Sequence, residues 1–453
     1  VMNIYNNISF NKIVNSIDDY ADVDNESKII EIIDSINEKQ TIIKSEITEV
    51  ERIFFIWIGT LNSRALEYIE IWQDCFKDRY QINIYVDGHF LLFNHLKKIF
   101  NACYCINDTT PADVIVEYQN QFYQKIDTFV SIGQSFDEAL IHIASTIGID
   151  LNPALKLARL KIEALRKIVN IIDIRSFDDI FYDERLRRMY FNELTLRHNA
   201  ACASDILRLS LLYRDGGMYV DVDTLPSHQL VYRGLTLRHG AGNENIVDVL
   251  KSEYLLREIR KLKQRSAKRN VCVAKIEEQV GNDEFIDALK NQAVKRVEAL
   301  FSQPPVCVHR DIMKIATINR YYEVNNNVLI AHKGSRTTRI VLREMSRRYK
   351  YLESNNLLFS TESTKKNVDG YLARLDRYRF DSITHSQGTD VTLILTGPCL
   401  IHEVLIGLLY EVCHLPKSIS PFSVSYLFRI ERSFLGFHHQ VNYTPEHMRS
   451  SWM

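Results

Sequence analysis

The run Ile53-Phe54-Phe55-Ile56-Trp57-Ile58 constrains the fold more than any other stretch of the chain. Consecutive apolar and aromatic residues closed by Gly59 suit a strand buried on both faces, and such strands belong to parallel sheets covered by helices. Apolar residues at helical spacing follow from about Ser63 to Phe76, and a second apolar run, Ile82 to Val86, ends at Asp87-Gly88. Strand, helix, strand in that order is a β-α-β unit, which predicts an α/β fold with a parallel sheet. Ligands in open α/β sheets bind at the carboxyl ends of the strands, so Trp57 and Asp87 are placed near the expected pocket. Trp57 is either core or a platform for a planar base.

The stretch Ala200 to Pro226 carries the chemistry. Ile206, Leu209 and Tyr213 repeat at helical spacing, Gly216-Gly217 stops the helix, and Met218 to Val220 re-enter a sheet. Asp221 and Asp223 follow with one residue between them. An extended chain there would put both carboxylates on one face and Val222 in the core. Two hard oxygen donors suit manganese or magnesium with positions left open for phosphate oxygens, which points to a nucleotide-sugar site. A D-x-D triplet alone is equally a solvated turn; the glycine pair and Tyr219 before it strengthen the functional reading. Asp205 and Arg208, one turn apart, are either a surface ion pair worth a few tenths of a kcal/mol or groups that bind sugar hydroxyls.

Composition narrows the rest. The chain has 453 residues, 46% hydrophobic and 25% charged, with a formal net charge of −1, so it is globular and nothing global argues for nucleic acid. The basic run Arg257 to Arg269 reads as a solvated helix face. Cys75, Cys103, Cys105, Cys202, Cys272, Cys307, Cys399 and Cys413 hold no C-x2-C pair, which fits reduced thiols. Cys103-x-Cys105 and His438-His439 are read as structural residues. No apolar run near the ~18 residues of a bilayer span and no signal peptide is apparent. The start Val-Met-Asn, and Trp452 one residue from the end, suggest a piece of a longer chain.

Along the chain, residues 1–50 read as an N-terminal helical bundle. It either docks on a membrane or braces the catalytic part, and its sparse lysine and arginine favour bracing. Helical patterns dominate from about 91 to 199, including a long run from Pro153 to Ile174, and again from about 243 to 300. Val328 to Ala331 reads as a strand after Asn325-Asn326-Asn327, a triplet that is either a turn or a source of amides at a sugar. Val391 to Thr396 reads as a strand ended by Gly397-Pro398. Residues 51–453 are expected to form one catalytic unit with helical subdomains at about 91–199 and 243–300.

The chain resembles the glucosylating domain of the large clostridial cytotoxins and related bacterial effector toxins. The residues that carry the likeness are FIWIG around Trp57, ASDILR followed by GGMYVDVD, the Asn326 region with Leu329-Ile330, and the terminal Ser450-x-Trp452, in that order. The resemblance implies a GT-A glycosyltransferase core, a Rossmann-like mixed sheet with large helical insertions. It implies that Trp57 stacks on uracil, that Asp205 and Arg208 bind sugar hydroxyls, and that Tyr219 lines the pocket. Asp221 would contact the ribose and hold the metal through water, with Asp223 as direct ligand. Asn326 would bond near the anomeric centre. Ser450 and Trp452 would close over the diphosphate, the hydroxyl near the metal and the indole on the leaving oxygen.

Two departures bear on function. His447, beside Glu446, stands where the clostridial toxins carry a metal-binding glutamate, so either of the two completes the metal shell. Asn325 and Asn327 replace the bulky flanking residues of glucose users, which tilts the donor toward UDP-N-acetylglucosamine over UDP-glucose. By resemblance the enzyme is retaining, depends on Mn2+ or Mg2+, and modifies a hydroxyl side chain of a host small GTPase of Rho, Ras or Rab type. It would be secreted within a larger bacterial toxin and act in the host cytosol. A glycan or polysaccharide glycosyltransferase of the same fold would share the central motif; an inactive host-binding module is the other alternative, against which the presence of Asp221, Asp223 and Arg208 weighs.

Overall fold

The computed structural model describes residues 10–17, 24, 26–43, 46–227, 303–318, 323–359, 370–380, 391–430, 436–439 and 442. Its centre is the predicted β-α-β unit. The apolar run forms β2 (Arg52–Trp57), which is buried from Ile53 onward. Helix α3 (Ser63–Phe76) starts at Asn62, whose side chain accepts the Ala65 N–H at 2.7 Å and so satisfies one orphan donor of the first turn. Strand β3 (Gln81–Val86) then returns parallel to β2 in register Arg52↔Gln81 through Trp57↔Val86. Upstream lie α1 (Phe10–Ser16), α2 (Glu26–Ile43) and β1 (Ile47–Glu49), so the end of the 1–50 segment is strand rather than helix.

Helices α4 (Phe93–Tyr104), α5 (Ala112–Ser131), α6 (Phe136–Thr146) and α7 (Asn152–Arg166) occupy much of the expected helical region. The predicted run from Pro153 to Ile174 is not one helix. It stops at Arg166, and β4 (Asn170–Asp173) pairs in parallel with β3. The apolar residues Ile171 and Ile172 fit either period, and an open β3 edge selects strand. Then come α8 (Glu184–Thr195), α9 (Ala200–Asp215), β5 (Gly217–Val220), β6 (Cys307–His309), β7 (Met313–Ile318) and β8 (Glu323–Ala331). The chain continues through α10 (Arg336–Ser354), α11 (Val391–Leu395), α12 (Pro398–Val412), α13 (Pro421–Ile430) and β9 (Phe437–His439). The helix expected at 243–300, the basic run 257–269 and Cys272 lie outside the described residues.

Among the described residues the strands make a seven-stranded mixed sheet of order β4-β3-β2-β5-β8-β7-β9, with β1 and β6 as a separate antiparallel pair. The four strands β4, β3, β2 and β5 run parallel, and β8 is antiparallel to both β5 and β7. This is the mixed α/β architecture expected. Helix α1 lies against α12 and α13, and α2 against α13. Asp24 joins them to the start of α13, accepting the Ser420 N–H at 2.6 Å while its own N–H donates to Ser423 Oγ at 2.9 Å.

Val391–Leu395 is helical, which corrects the strand reading. A short apolar run does not reveal its period, and here the Thr396 N–H bonds back to the Thr392 carbonyl. Val391–Val412, spanning α11 and α12, is long and apolar enough to cross a bilayer, contrary to the sequence reading, yet 72% of it is buried inside the protein. It is interrupted at Gly397-Pro398 and packs on α10 and β8, so it serves as core. The described cysteines are free thiols.

The glycine pair has a specific cause. Gly216 and Gly217 have φ of 70° and 120°, and a Cβ on Gly217 would lie 2.8 Å from the Arg52 carbonyl oxygen on β2. Gly217→Ala is therefore expected to destabilise the protein by about 2 kcal/mol, read by denaturant unfolding, because both the backbone conformation and the strand spacing reject a side chain. Unchanged stability would show that β5 and β2 part readily.

Candidate functional site

Helix α9 is the platform. The sequence reads it as one-sided, but it is covered by the sheet on one side and by α8, α10 and α11 on others, and residues 202–212 are all buried. Small residues Ala200, Ala203 and Ser204 let it pack closely. Asp205 and Arg208 are consequently interior, 4% and 3% exposed, and the reading as a surface ion pair fails.

The two face the carboxyl end of β5. Arg208 Nε lies 3.3 Å from Asp205 Oδ1, Nη1 donates to the Asn326 carbonyl at 2.7 Å, and Nη2 donates to Ser204 Oγ at 3.2 Å. Nη2 also lies 3.6 Å from Asp221 Oδ1, and the guanidinium sits 4.4 Å from the Tyr219 ring centre. The Tyr219 hydroxyl donates a short hydrogen bond to Asp221. Asn326 Nδ2 donates to Asp205 Oδ1 at 2.9 Å. Asp205, Arg208, Tyr219, Asp221 and Asn326 thus form one connected group assembled from α9, β5 and β8.

Asn326 reaches Asp205 because β8 bulges. Ile315 pairs with Leu329, but the next residue on β7, Ala316, pairs with Asn325, leaving Asn326, Asn327 and Val328 unopposed on that side. A bulge of this kind re-aims side chains beside a site. The triplet is therefore strand with a break in register rather than a loop turn. Asp221 and Asp223 are not on an extended strand either. Strand β5 ends at Val220, and the Thr224 N–H donates to the Asp221 carbonyl at 3.0 Å, so 221–224 is a turn. Val222 still enters the core, at 3% exposure.

Burial sets the electrostatics. Desolvation pushes Asp205 up to about 6, although Arg208, Thr396 and Asn326 favour its charged form. Desolvation also raises Asp221, opposed by Arg208 and by the Tyr219 hydrogen bond. Burial pulls Arg208 down, but Tyr219, Asp205, Asp221 and Asp223 together hold its pKa above the ordinary value. Three carboxylates against one guanidinium leave the ionised cluster two charges negative, which a divalent cation would balance.

Among the described residues no group of three or more His, Cys, Asp or Glu side chains forms a metal site. Asp221, 19% exposed at its side chain, and the partly buried Asp223 offer hard oxygens of the right chemistry. Glu446, His447, Ser450 and Trp452, the rest of the expected metal and lid set, lie outside the described residues.

Trp57, at the carboxyl end of β2, is 4% exposed and belongs to the same buried cluster as Val222 and Leu225. Asp87 is committed to structure. Arg175 Nε and Nη2 each donate to it at 2.7 Å, and the Tyr190 hydroxyl donates at 2.9 Å. A cavity of about 900 Å3 between α5, α6, α8 and the end of α10 includes none of the predicted site residues. The sequence reading missed Thr396, whose Oγ1 donates to Asp205 Oδ2 at 2.9 Å, and Ser204, which binds Arg208. The Thr-Gly-Pro turn is visible in the sequence; its position against Asp205 is not.

The family described as the TcdA/TcdB catalytic glycosyltransferase domain matches residues 51–375. Cytotoxin-L of Paraclostridium sordellii is 30% identical over 340 residues, covering 69% of this chain and 14% of the toxin, so the chain spans about a seventh of that relative. Toxin B of Clostridioides difficile is 30% identical over 209 residues, 40% of this chain and 9% of the toxin. Among solved structures, the catalytic domain of alpha-toxin from Clostridium novyi superposes with a TM-score of 0.69 at 19% identity, covering 92% of this chain and 84% of that one. The UDP-bound glycosyltransferase domain of the YGT toxin superposes with a TM-score of 0.58 at 17% identity, covering 89% and 82%. These last two likenesses concern the fold.

Proposed function

Because the chain belongs to the TcdA/TcdB catalytic glycosyltransferase domain family, we propose that it transfers a sugar from a UDP-sugar to a hydroxyl side chain of a host small GTPase. The observation that carries this reading is the connected group Asp205, Arg208, Tyr219, Asp221 and Asn326 at the carboxyl end of β5, where ligands of α/β sheets bind. Asp205 and Asn326 present hydroxyl-binding atoms to a hexose. Arg208 holds both, fixing their geometry before substrate arrives, so little reorganisation is needed in the transition state.

Asp221 and Asp223, with His447 or Glu446 and Ser450, would hold Mn2+ or Mg2+, which supplies charge neutralisation to the departing UDP. Trp57 is the proposed partner of uracil, and Trp452 and Ser450 of the diphosphate. Attack from the side UDP leaves, with retention, is the favoured course, as the likeness to the toxin family implies. Asn325 and Asn327 beside Asn326 favour UDP-N-acetylglucosamine over UDP-glucose. A sugar on a GTPase switch residue would block effector engagement. The acting protein would be a secreted toxin working in the host cytosol.

Incubating Rho, Ras and Rab proteins with the chain, Mn2+ and each UDP-sugar, followed by mass spectrometry, tests this. One N-acetylhexosamine added to a Ser, Thr or Tyr is the expected result. A hexose instead corrects the donor, and transfer only to glycans would move the reading to a glycan glycosyltransferase.

A further inference from the structure

We propose that Thr396 is a positioning residue for the transfer reaction, its hydroxyl fixing the orientation of the Asp205 carboxylate against the donor sugar. This inference rests on the reading of Asp205 as a sugar-binding group. Thr396 lies 191 residues from Asp205, at the turn between α11 and α12, and is 0% exposed. Its Oγ1 donates to Asp205 Oδ2 at 2.9 Å, while Oδ1 accepts from Asn326 at 2.9 Å and faces Arg208 Nε at 3.3 Å. The carboxylate is thereby held at both oxygens by three segments of the chain, and rotation about its own bond would break contacts on both sides. Deprived of the Thr396 donor, Oδ2 would be left in a buried place with an unmet acceptor, which is costly for a charged oxygen.

The surroundings aim the hydroxyl. Cys202 Sγ, one turn before Asp205 on α9, is 3.4 Å from Thr396 Oγ1, and burial raises that thiol's pKa well above its ordinary value, so it stays S–H. Thr396 Oγ1 has one hydrogen to give, and the Asp205 carboxylate is a nearer and stronger acceptor than this neutral thiol. The alternative acceptor, the Thr392 carbonyl, is longer, at 3.3 Å. The same turn is anchored to α9 a second time, by Asn199 Nδ2 donating to Thr392 Oγ1 at 2.9 Å, and Asn199 also caps α9 through the Cys202 N–H at 3.0 Å. Asn199 thereby ties the start of α9 to the first turn of α11. Because hydrogen bonding favours the charged form of Asp205, removing this donor should raise its pKa further from about 6.

Thr396→Val and Thr396→Ser decide the matter. In Thr396→Val, UDP-sugar turnover is expected to fall tenfold to a hundredfold in kcat, about the scale of one hydrogen bond to a charged group, with UDP affinity unchanged. Thr396→Ser should restore turnover to within about threefold of the parent protein, the margin of a lost methyl contact. A parallel readout does not need activity: an NMR titration of carbon-labelled aspartate in the metal-free protein should place the Asp205 midpoint higher in Thr396→Val than in the parent and Thr396→Ser. A parent protein that turns over no UDP-sugar refutes the functional reading, and the titration still decides the positioning role. An unmoved Asp205 midpoint, or a Thr396→Ser variant as impaired as Thr396→Val, overturns the proposal. If Thr396→Val does not fold, Thr396→Ala, which removes the same donor without a branched side chain, should raise the Asp205 midpoint in the same direction, and no rise would again overturn it.

Discussion

Replacing Asp221 and Asp223 together by asparagine is expected to lower Mn2+-supported hydrolysis and transfer of UDP-sugar at least roughly a thousandfold. The reason is charge. With both residues ionised the cluster carries three carboxylates and one guanidinium, and the double substitution leaves only Asp205 against Arg208. A neutral cluster gives a divalent cation nothing to balance, and among the described residues no group of three or more His, Cys, Asp or Glu side chains could hold it instead. Asparagine keeps the shape of both side chains, and at Asp221 its oxygen can still accept the hydrogen from Tyr219. The fold should therefore survive, with an unfolding midpoint near that of the parent. Chelation of metal from the parent protein should produce a loss of the same size, reversed by Mn2+. Turnover that persists in the double variant, or that ignores chelation, would remove the metal from the proposed chemistry.

The second large effect concerns stability as much as activity. Arg208→Met removes the cation paired with both Asp205 and Asp221 while roughly preserving buried volume, and a cost of about 3–5 kcal/mol is expected from leaving buried carboxylates uncompensated. The substitution also strips hydrogen bonds from the Asn326 carbonyl and from Ser204. The pH dependence gives the sign. Both carboxylates already have raised pKa values through desolvation, Asp205 to about 6, and loss of Arg208 raises them further. Below those values the variant's carboxyls are protonated and need no partner, so the deficit shrinks; above them the full penalty applies. Denaturant unfolding of parent and variant at pH 5 and pH 8 reads this directly. A deficit under about 1 kcal/mol, or one that does not grow with pH, would mean that Arg208 is not the charge that holds the cluster together.

Much of the local structure was legible. The apolar run at Ile53, the helical spacing from Ser63 to Phe76, and Gly216-Gly217 act within a few residues, and their elements appear where the periodicity puts them. The readings that failed were those where local signals are ambiguous. Ile171 and Ile172 became strand because β3 offered an edge, and Val391–Leu395 became helix against α10 and α12.

The site divides the same way. The sequence by itself determined that a helix bearing Asp205 and Arg208 stops at two glycines and yields a short strand followed by two aspartates, because helix period and glycine backbone freedom are properties of neighbouring residues. Only the tertiary structure decided that this helix is covered on several sides, that the Asp205–Arg208 pair is interior, and that Asn326 and Thr396 meet Asp205 from 121 and 191 residues away. The physical reason is that a side chain's burial and partners depend on which segments the sheet order brings beside it. A bulge in β8 and a helical turn before Gly397 place those two donors, and the register break of that bulge arises from pairing between strands rather than from residues near Asn326 in the chain.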